Sequence, residues 1–269
     1  MGNHSAIILY YNKPTLTMRC VESVLNQKVK PQNLVLINNG STPSTVDAID
    51  SFFKTKSADL FQINLHTIHI PENLGFSKAM NQGLDYAFKK LRSSTATLIS
   101  NDAELDSEYF QNLSTMELKT DTIYCPHTHY LMKKNLAYTH GRVSVLTDTH
   151  TSPPTKELEL SHHTTETTTI TFPQYYPAAV TTWTREAYEK IQGFNEEFFC
   201  YWEDVELSYR AQKLKVFLES TPLLKVYHLG RGTTGGKAVY NQHFINGKNL
   251  MQTLLISFNL ADNTIRRPT

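Results

Sequence analysis

Five carboxylates stand among large aromatic rings in Phe194-Asn195-Glu196-Glu197-Phe198-Phe199-Cys200-Tyr201-Trp202-Glu203-Asp204-Val205-Glu206-Leu207. Acids held against apolar rings lose solvation, so their charge is costly unless it is neutralised or used. One of them in a partly dry pocket can serve as a general base. The competing reading is an ordinary helix start, where acids favour the positive end of the dipole. A second pair, Asp102 and Glu104, stands two residues apart just after an apolar run. Two carboxylates there suit a hard divalent cation such as Mg²⁺ or Mn²⁺, which usually also holds substrate phosphates. Equally, the pair reads as a helix cap ahead of residues 107–113. His228 ends another apolar run and precedes Gly230-Arg231-Gly232-Thr233-Thr234-Gly235-Gly236. A lone histidine is more often simply packed, but beside such a loop it can complete a metal and phosphate site.

Other chemistries find less support. The glycine-rich loop matches neither the strand-first GxGxxG nor the P-loop pattern. His127, His129, His162 and His163 have no ligand spacing. No serine sits in a Gly-x-Ser-x-Gly elbow and no cysteine has a local activating partner, which disfavours covalent hydrolysis.

The elements that must position these groups alternate. Residues 6–11 read as a buried strand stopped by Asn12-Lys13-Pro14, and residues 16–27 as a helix through Cys20, Val21, Val24 and Leu25. Residues 34–37 give a second strand, 46–53 a helix, 65–70 a third strand, 77–91 an amphipathic helix and 97–99 a fourth strand. Short, non-alternating strands separated by helices imply an α/β fold with a parallel sheet covered on both faces. Such sheets bind ligands at the carboxyl ends of their strands, near a topological switch point. The polar clusters at Tyr11-Asn12, at residues 38–41 and at 101–104 each follow a strand, so three turns converge on one edge. Beyond them, residues 124–145 read as alternating strand material, 186–191 as a helix, and 215–218 and 224–228 as two later strands. Residues 147–171 are rich in Thr and His, and a long segment of that kind is usually functional or mobile.

At 269 residues the chain can bury a sizeable core as one domain or two intimate halves. A formal charge of +1 gives no field for holding a polyanion, so nucleic acid is not an expected partner. Three scattered cysteines argue for a reducing, cytoplasmic setting without disulfides or a zinc pattern. No run is long and apolar enough to span a bilayer, and the N-terminus lacks a signal-peptide layout. Lys237, Lys248, Arg266 and Arg267, near Leu250-Met251 and Leu254-Leu255-Ile256, leave room for peripheral contact with the inner membrane face. A C-terminal helix packing on the domain is the better reading of that cluster.

Several separated segments, in order, resemble family 2 glycosyltransferases, which are inverting enzymes of the GT-A fold. They are Tyr10-Tyr11-Asn12-Lys13-Pro14, Glu22-Ser23-Val24-Leu25-Asn26-Gln27 and Ile37-Asn38-Asn39-Gly40-Ser41, then Asn73-Leu74-Gly75-Phe76-Ser77-Lys78-Ala79-Met80-Asn81-Gln82-Gly83. Ser100-Asn101-Asp102-Ala103-Glu104-Leu105 occupies the place of the metal-binding DxD. Gly193 to Phe199, Trp202 to Leu207 and Arg210 are similar to the pattern around the catalytic base. The sub-branch most similar includes bacterial rhamnosyl- and galactofuranosyl-transferases of surface polysaccharide synthesis.

The resemblance implies a Rossmann-like, mainly parallel sheet in a single compact domain with an acceptor-side insertion. Residues 1–115 would be the nucleotide-sugar half, 116–235 the acceptor and catalytic half, and 236–269 a helical tail. It implies a UDP- or dTDP-sugar donor, a glycan or lipid-linked glycan acceptor such as O-antigen or capsule, and a Mn²⁺ or Mg²⁺ cofactor. Tyr11, Asn38 and Asn39 would hold the base, with Asn73, Gly75 and Lys78 along the donor. Asp102 would ligate the cation, His228 would complete that site, and Glu104 would compensate for Ser100 where the family carries an acid. Asp204 would deprotonate the acceptor hydroxyl, with Trp202 and Glu203 shaping the acceptor pocket. Asn38 stands where many relatives have Asp, which removes the charge-assisted bond to a base imide. The rivals are a nucleotidyltransferase or sugar-nucleotide hydrolase, and a nucleotide-sugar-binding protein that has lost catalysis.

Overall fold

The computed structural model describes residues 2–131, 133–139, 141–144, 149–151, 158–159, 168–170, 174–229 and 248–249. The Gly230–Gly236 loop, most of the Thr- and His-rich segment, and the tail apart from Lys248 and Asn249 lie outside the described residues.

The first half alternates as its periodicity predicts. The elements are β1 (His4–Tyr10), α1 (Pro14–Leu25), β2 (Asn33–Asn39), α2 (Pro43–Thr55), β3 (Asn64–Ile70), α3 (Gly75–Asp85), β4 (Thr95–Ser100), β5 (Ala103–Leu105) and α4 (Tyr109–Thr115). Proline opens α1 and α2, where its missing N–H costs nothing and its fixed φ is already helical. The amphipathic run expected over 77–91 divides into α3 and a π-type turn at Tyr86–Lys90. The second half contains β6 (Thr122–Tyr130), β7 (Lys133–Tyr138), β8 (Gly141–Ser144), β9 (Thr149–Thr151), β10 (Leu158–Glu159), β11 (Thr168–Ile170), β12 (Gln174–Tyr175) and β13 (Val180–Thr184). It closes with α5 (Arg185–Ile191), α6 (Glu203–Lys213) and β14 (Phe217–His228).

Among the described residues the main sheet runs β10-β7-β6-β13-β4-β1-β2-β3, with β14 alongside β6 and joined to β5 and β11. β1 pairs in parallel with both β2 and β4, and β2 with β3, whereas β13 is antiparallel to β4 and β6. Both halves of the sequence therefore share one sheet. Alternate residues of β1 enter opposite cores. Ile7 and Leu9 pack with Ala79, Met80, Leu84 and Phe88 of the α3 side, and Ala6 and Ile8 with Cys20, Val21 and Val24 of α1. Gly83 lets α3 lie close on the sheet, since a Cβ there would come within 2.6 Å of Ile7 and Ile37 side-chain carbons.

Two expectations change. The two late strands at 215–218 and 224–228 form one strand, β14, whose pairing with β6 shifts between Thr221 and Lys225. Pro222 falls in that irregularity, a place where a strand tolerates proline. The material expected to alternate is instead buried through nearly all of β6. It is an interior strand, flanked by β13 and β14 as well as β7.

Candidate active site

The sheet reverses its order at β1, with β2 and β3 on one side and β4 on the other, so the carboxyl ends of β1 and β4 form the switch point. Asn12 and Lys13 leave β1 with left-handed backbone, φ 53° and 52°. The Asn12 N–H donates to Ser41 Oγ at 2.9 Å, and Asn12 Oδ1 accepts from the Thr42 N–H at 3.0 Å, which ties the β1 exit to the β2 exit. Tyr11 lies beside this tie, 37% exposed. Asn38 is buried, and its Oδ1 accepts the Ser41 N–H at 2.9 Å. Asn39 turns the other way: its Nδ2 donates to Asn73 Oδ1 at 3.0 Å and Gly75 O at 3.1 Å, while its Oδ1 accepts the Leu74 N–H at 3.0 Å. Asn39, Asn73 and Gly75 thus form one hydrogen-bonded unit, with Lys78 exposed one turn further along α3.

Asp102 lies in the turn between β4 and β5. Its neighbour Asn101 is anchored through Nδ2 to Thr17 Oγ1 at 3.1 Å, and its own carbonyl accepts the Leu229 N–H at 3.0 Å. The β5–β14 pairing sets His228 opposite Ala103. As a result His228 Nε2 stands 3.2 Å from Asp102 Oδ1, although the two are far apart in sequence. Glu104 is drawn aside into an ion pair with Arg19 at 2.6 Å. Asp102 and Glu104 do not cap α4: its N-cap is Glu108, without a side-chain cap bond, and the turn before it is closed by Asp106, whose Oδ1 accepts the Glu108 N–H at 3.1 Å. Among the described residues no group of three or more His, Cys, Asp or Glu side chains converges as a metal cage. The Asp102–His228 spacing nevertheless fits two neighbouring ligands of one octahedral ion, which stand about 3 Å apart when each bond is about 2.1 Å.

The acidic run separates into groups with different tasks. Glu206 is fully buried and held at both oxygens by Arg210, at 2.8 and 2.9 Å. Arg210 also donates to the carbonyls of Ile191 and Gly193. Asn81 of α3 pins the same loop, donating to Phe194 O at 2.9 Å and accepting the Phe194 N–H at 2.8 Å. These residues build the scaffold. Glu203 and Asp204 open α6, preceded by Tyr201 and Trp202, both left-handed with φ 66° and 71°. Such conformations for large side chains cost on the order of 1–3 kcal/mol each and persist where the surroundings over-determine them.

Burial decides the electrostatics of this pair. Desolvation pushes the Asp204 carboxyl up to about 6, against the pull of the Val205, Asp204 and Ala178 N–H groups. Glu203 rises to about 8 by desolvation and then by repulsion from Asp204. Oε2 of Glu203 is buried without a hydrogen-bond partner. The Ala178 N–H reaches Asp204, and the next carbonyl, Ala179 O, accepts the Ser100 N–H at 2.8 Å. Two hydrogen bonds, bridged by the Ala178–Ala179 peptide, therefore join Asp204 to the strand end that leads to Asp102. Phe199 closes the other side, its carbonyl taking the Phe76 N–H at 2.6 Å. Gly75 permits this approach: its φ is +80°, and a Cβ would stand 2.3 Å from Phe199 O.

The model of glycosyl transferase family 2 matches residues 5–177, more than half of the chain. The chain belongs to that family. Over 85 residues, 32% of this chain and 11% of the relative, it is 29% identical to the teichoic acid poly(glycerol phosphate) polymerase of Staphylococcus epidermidis. Its fold is similar to that of the mannosyltransferase PcManGT from Pyrobaculum calidifontis, solved in complex with GDP-Man and Mn²⁺. The TM-score is 0.63 at 13% identity, covering 97% of this chain and 65% of that one. It is also similar to S. aureus TarS 1-349 in complex with UDP-GlcNAc, with a TM-score of 0.60 at 13% identity over 97% of this chain and 68% of that one. The GT-A fold expected from the motifs is the fold observed. The chain spans about a third or less of the length of the curated relatives it matches.

In this family 2 chain, α6, β14 and Asn249 all lie beyond the matched segment. Sequence reasoning did not single out Arg19, which occupies Glu104, or Ala178, which reaches Asp204 through its backbone. Arg19 lies on α1 with no local signal linking it to Glu104, and a backbone donor leaves no trace in side-chain identity. Asn81 stood inside a quoted motif, and a polar residue on an otherwise small and apolar helix face was the readable sign.

Proposed function

We propose that this chain transfers a sugar, with inversion, from a nucleoside-diphosphate sugar to a hydroxyl of a growing glycan or lipid-linked glycan of the bacterial surface. The observation that carries the reading is the convergence of Asp102, His228 and Asp204 on one sheet edge through Ser100, Ala179 and Ala178. Tyr11, Asn38 and the Asn39–Asn73–Gly75 unit line the donor side, with Lys78 available to the diphosphate. Trp202 and Glu203 flank the acceptor. Asp102 and His228 would hold a divalent cation, which when bound neutralises charge growing on the leaving diphosphate.

The chemistry asked of the chain itself is a single displacement. Asp204 accepts the acceptor hydroxyl proton as the oxygen bonds to the anomeric carbon. The bond from that carbon to the diphosphate breaks on the opposite face, and the nucleoside diphosphate leaves with the electron pair. General-base help of this kind contributes about 10²–10⁴-fold. A UDP- or dTDP-sugar is the preferred donor class, and the likeness to the teichoic acid polymerase supports a surface-polymer acceptor. The narrower rhamnosyl or galactofuranosyl assignment rests on motif likeness alone. No helix among the described residues is long and apolar enough to cross a membrane. On this reading the protein works at the cytoplasmic face, where its donors are made.

The withdrawal of Glu104 to Arg19 and the serine at position 100 favour a second reading, a nucleotide-sugar-binding protein without turnover. A panel of nucleotide sugars, tested by thermal shift with and without Mn²⁺ and then for nucleoside diphosphate release, separates the two. Mn²⁺-dependent stabilisation followed by release supports transfer. Stabilisation without release, even with surface-glycan acceptors present, supports the binder.

A further inference from the structure

The turn that presents Asp204 is fastened by a residue from the far end of the chain. Asn249 is buried, 3% exposed, and its Nδ2 donates to the carbonyls of Cys200 at 3.1 Å and Tyr201 at 2.8 Å. Successive carbonyls in an extended strand point to opposite sides, so one amide group reaches both only while the backbone at Tyr201 keeps a helical turn. That turn is left-handed here, as is the next residue, Trp202, which is the N-cap of α6. Large side chains leave this conformation unless neighbours impose it. The two N–H groups of a primary amide match two convergent carbonyls, a pairing that neither a hydroxyl nor an apolar side chain provides. Rotation at Tyr201 or Trp202 would swing the first turn of α6 and carry Asp204 away from Ala178.

We propose that Asn249 is a positioning residue: by locking the Cys200–Trp202 turn it aims the Asp204 carboxylate at the acceptor hydroxyl. The segment beyond β14 is on this view a working part of the catalytic half. The proposal rests on Asp204 being the base, and its test keeps the two claims apart.

Asn249→Leu removes both donors while keeping the same branched heavy-atom skeleton, and Asn249→Ser leaves one short donor. Each is made in the full chain. Limited chymotrypsin digestion of the folded proteins, read by mass spectrometry, should show cleavage after Tyr201 or Trp202 at least about tenfold faster in Asn249→Leu, with Asn249→Ser between it and wild type. In transfer assays kcat should fall about 10²-fold, the cost of a misplaced reacting group. KM for the donor and the affinity for UDP with Mn²⁺ should stay at wild-type values. Should Asn249→Leu fail to fold, Asn249→Ser must still show both effects in reduced measure. Unchanged cleavage in a folded variant overturns the clamp. Unchanged kcat, or a parallel loss of UDP affinity, overturns the positioning role. A wild-type protein without any transfer would sink the base assignment, and the positioning role with it, while the cleavage rates judge the clamp alone.

Discussion

Two opposing influences act on Asp204, backbone N–H groups that favour its charge and the dry surroundings of its carboxyl, and burial prevails. The consequence for a base is specific. In the free protein kcat/KM should fall with unit slope below about pH 6, where the carboxylate takes up a proton, and a pH–rate profile checks this. Glu203 and Asp204 titrate as a pair, so the profile reports the pair and not one residue. A flat profile down to pH 5 contradicts the assignment. On the donor side, His228→Ala leaves Asp102 as the single protein ligand of the proposed cation. The Mn²⁺ concentration for half-maximal activity should rise about tenfold or more, and an unchanged titration removes His228 from the site.

At the scale of elements, the loop between α5 and α6 is held by Glu206–Arg210 from one side and Asn81 from the other. Arg210→Met leaves a buried carboxylate uncompensated and should cost about 3–5 kcal/mol of stability, measurable by urea denaturation. Replacing Glu206 with Gln in the same protein should recover part of that loss. Gly75→Ala asks for a side chain at φ +80° and 2.3 Å from Phe199 O. It should destabilise by roughly 2 kcal/mol or more and weaken donor binding, because the Asn39–Asn73 unit shifts with it. Much of this level was legible beforehand. Cys20, Val21, Val24 and Leu25 marked α1 through helical spacing, and the polar clusters after β1, β2 and β4 marked the edge. β14 was not legible as one strand, because Pro222 reads locally as a break and only the partner strand β6 reveals the shifted register. The separation of Glu206 from Glu203 and Asp204 was hidden for a similar reason. Helical spacing placed Arg210 four residues on, but the carbonyls it also holds come from the preceding loop.

At the scale of the whole molecule, a buried polar chain crosses the centre of the sheet. His4 donates to or accepts from Thr95 Oγ1 at 2.7 Å and Thr97 Oγ1 at 3.0 Å, and Thr97 continues to Thr182 and Tyr109. Burial lowers the His4 imidazole to about 3, so between about pH 6.5 and 3 the unfolded chain binds the extra proton and stability falls as pH falls. The slope is about 1.4 kcal/mol per pH unit at most. The raised pair Glu203 and Asp204 acts with the opposite sign, the folded protein holding protons that the unfolded chain releases as pH rises. The wild-type curve is therefore flattened, and the difference between wild type and His4→Gln, followed by thermal unfolding from pH 7 to 4, should isolate the histidine. A difference independent of pH would show that His4 is not kept neutral.

On the proposed reading these parts serve one arrangement, a cation and diphosphate site at Asp102 and His228 faced by a base at Asp204. The most direct test compares wild type with Asp204→Asn at saturating donor and Mn²⁺, measuring UDP affinity and nucleoside diphosphate release in parallel. Unchanged UDP affinity with release reduced by at least about 10²-fold is the predicted result. Release at the wild-type rate would contradict the account.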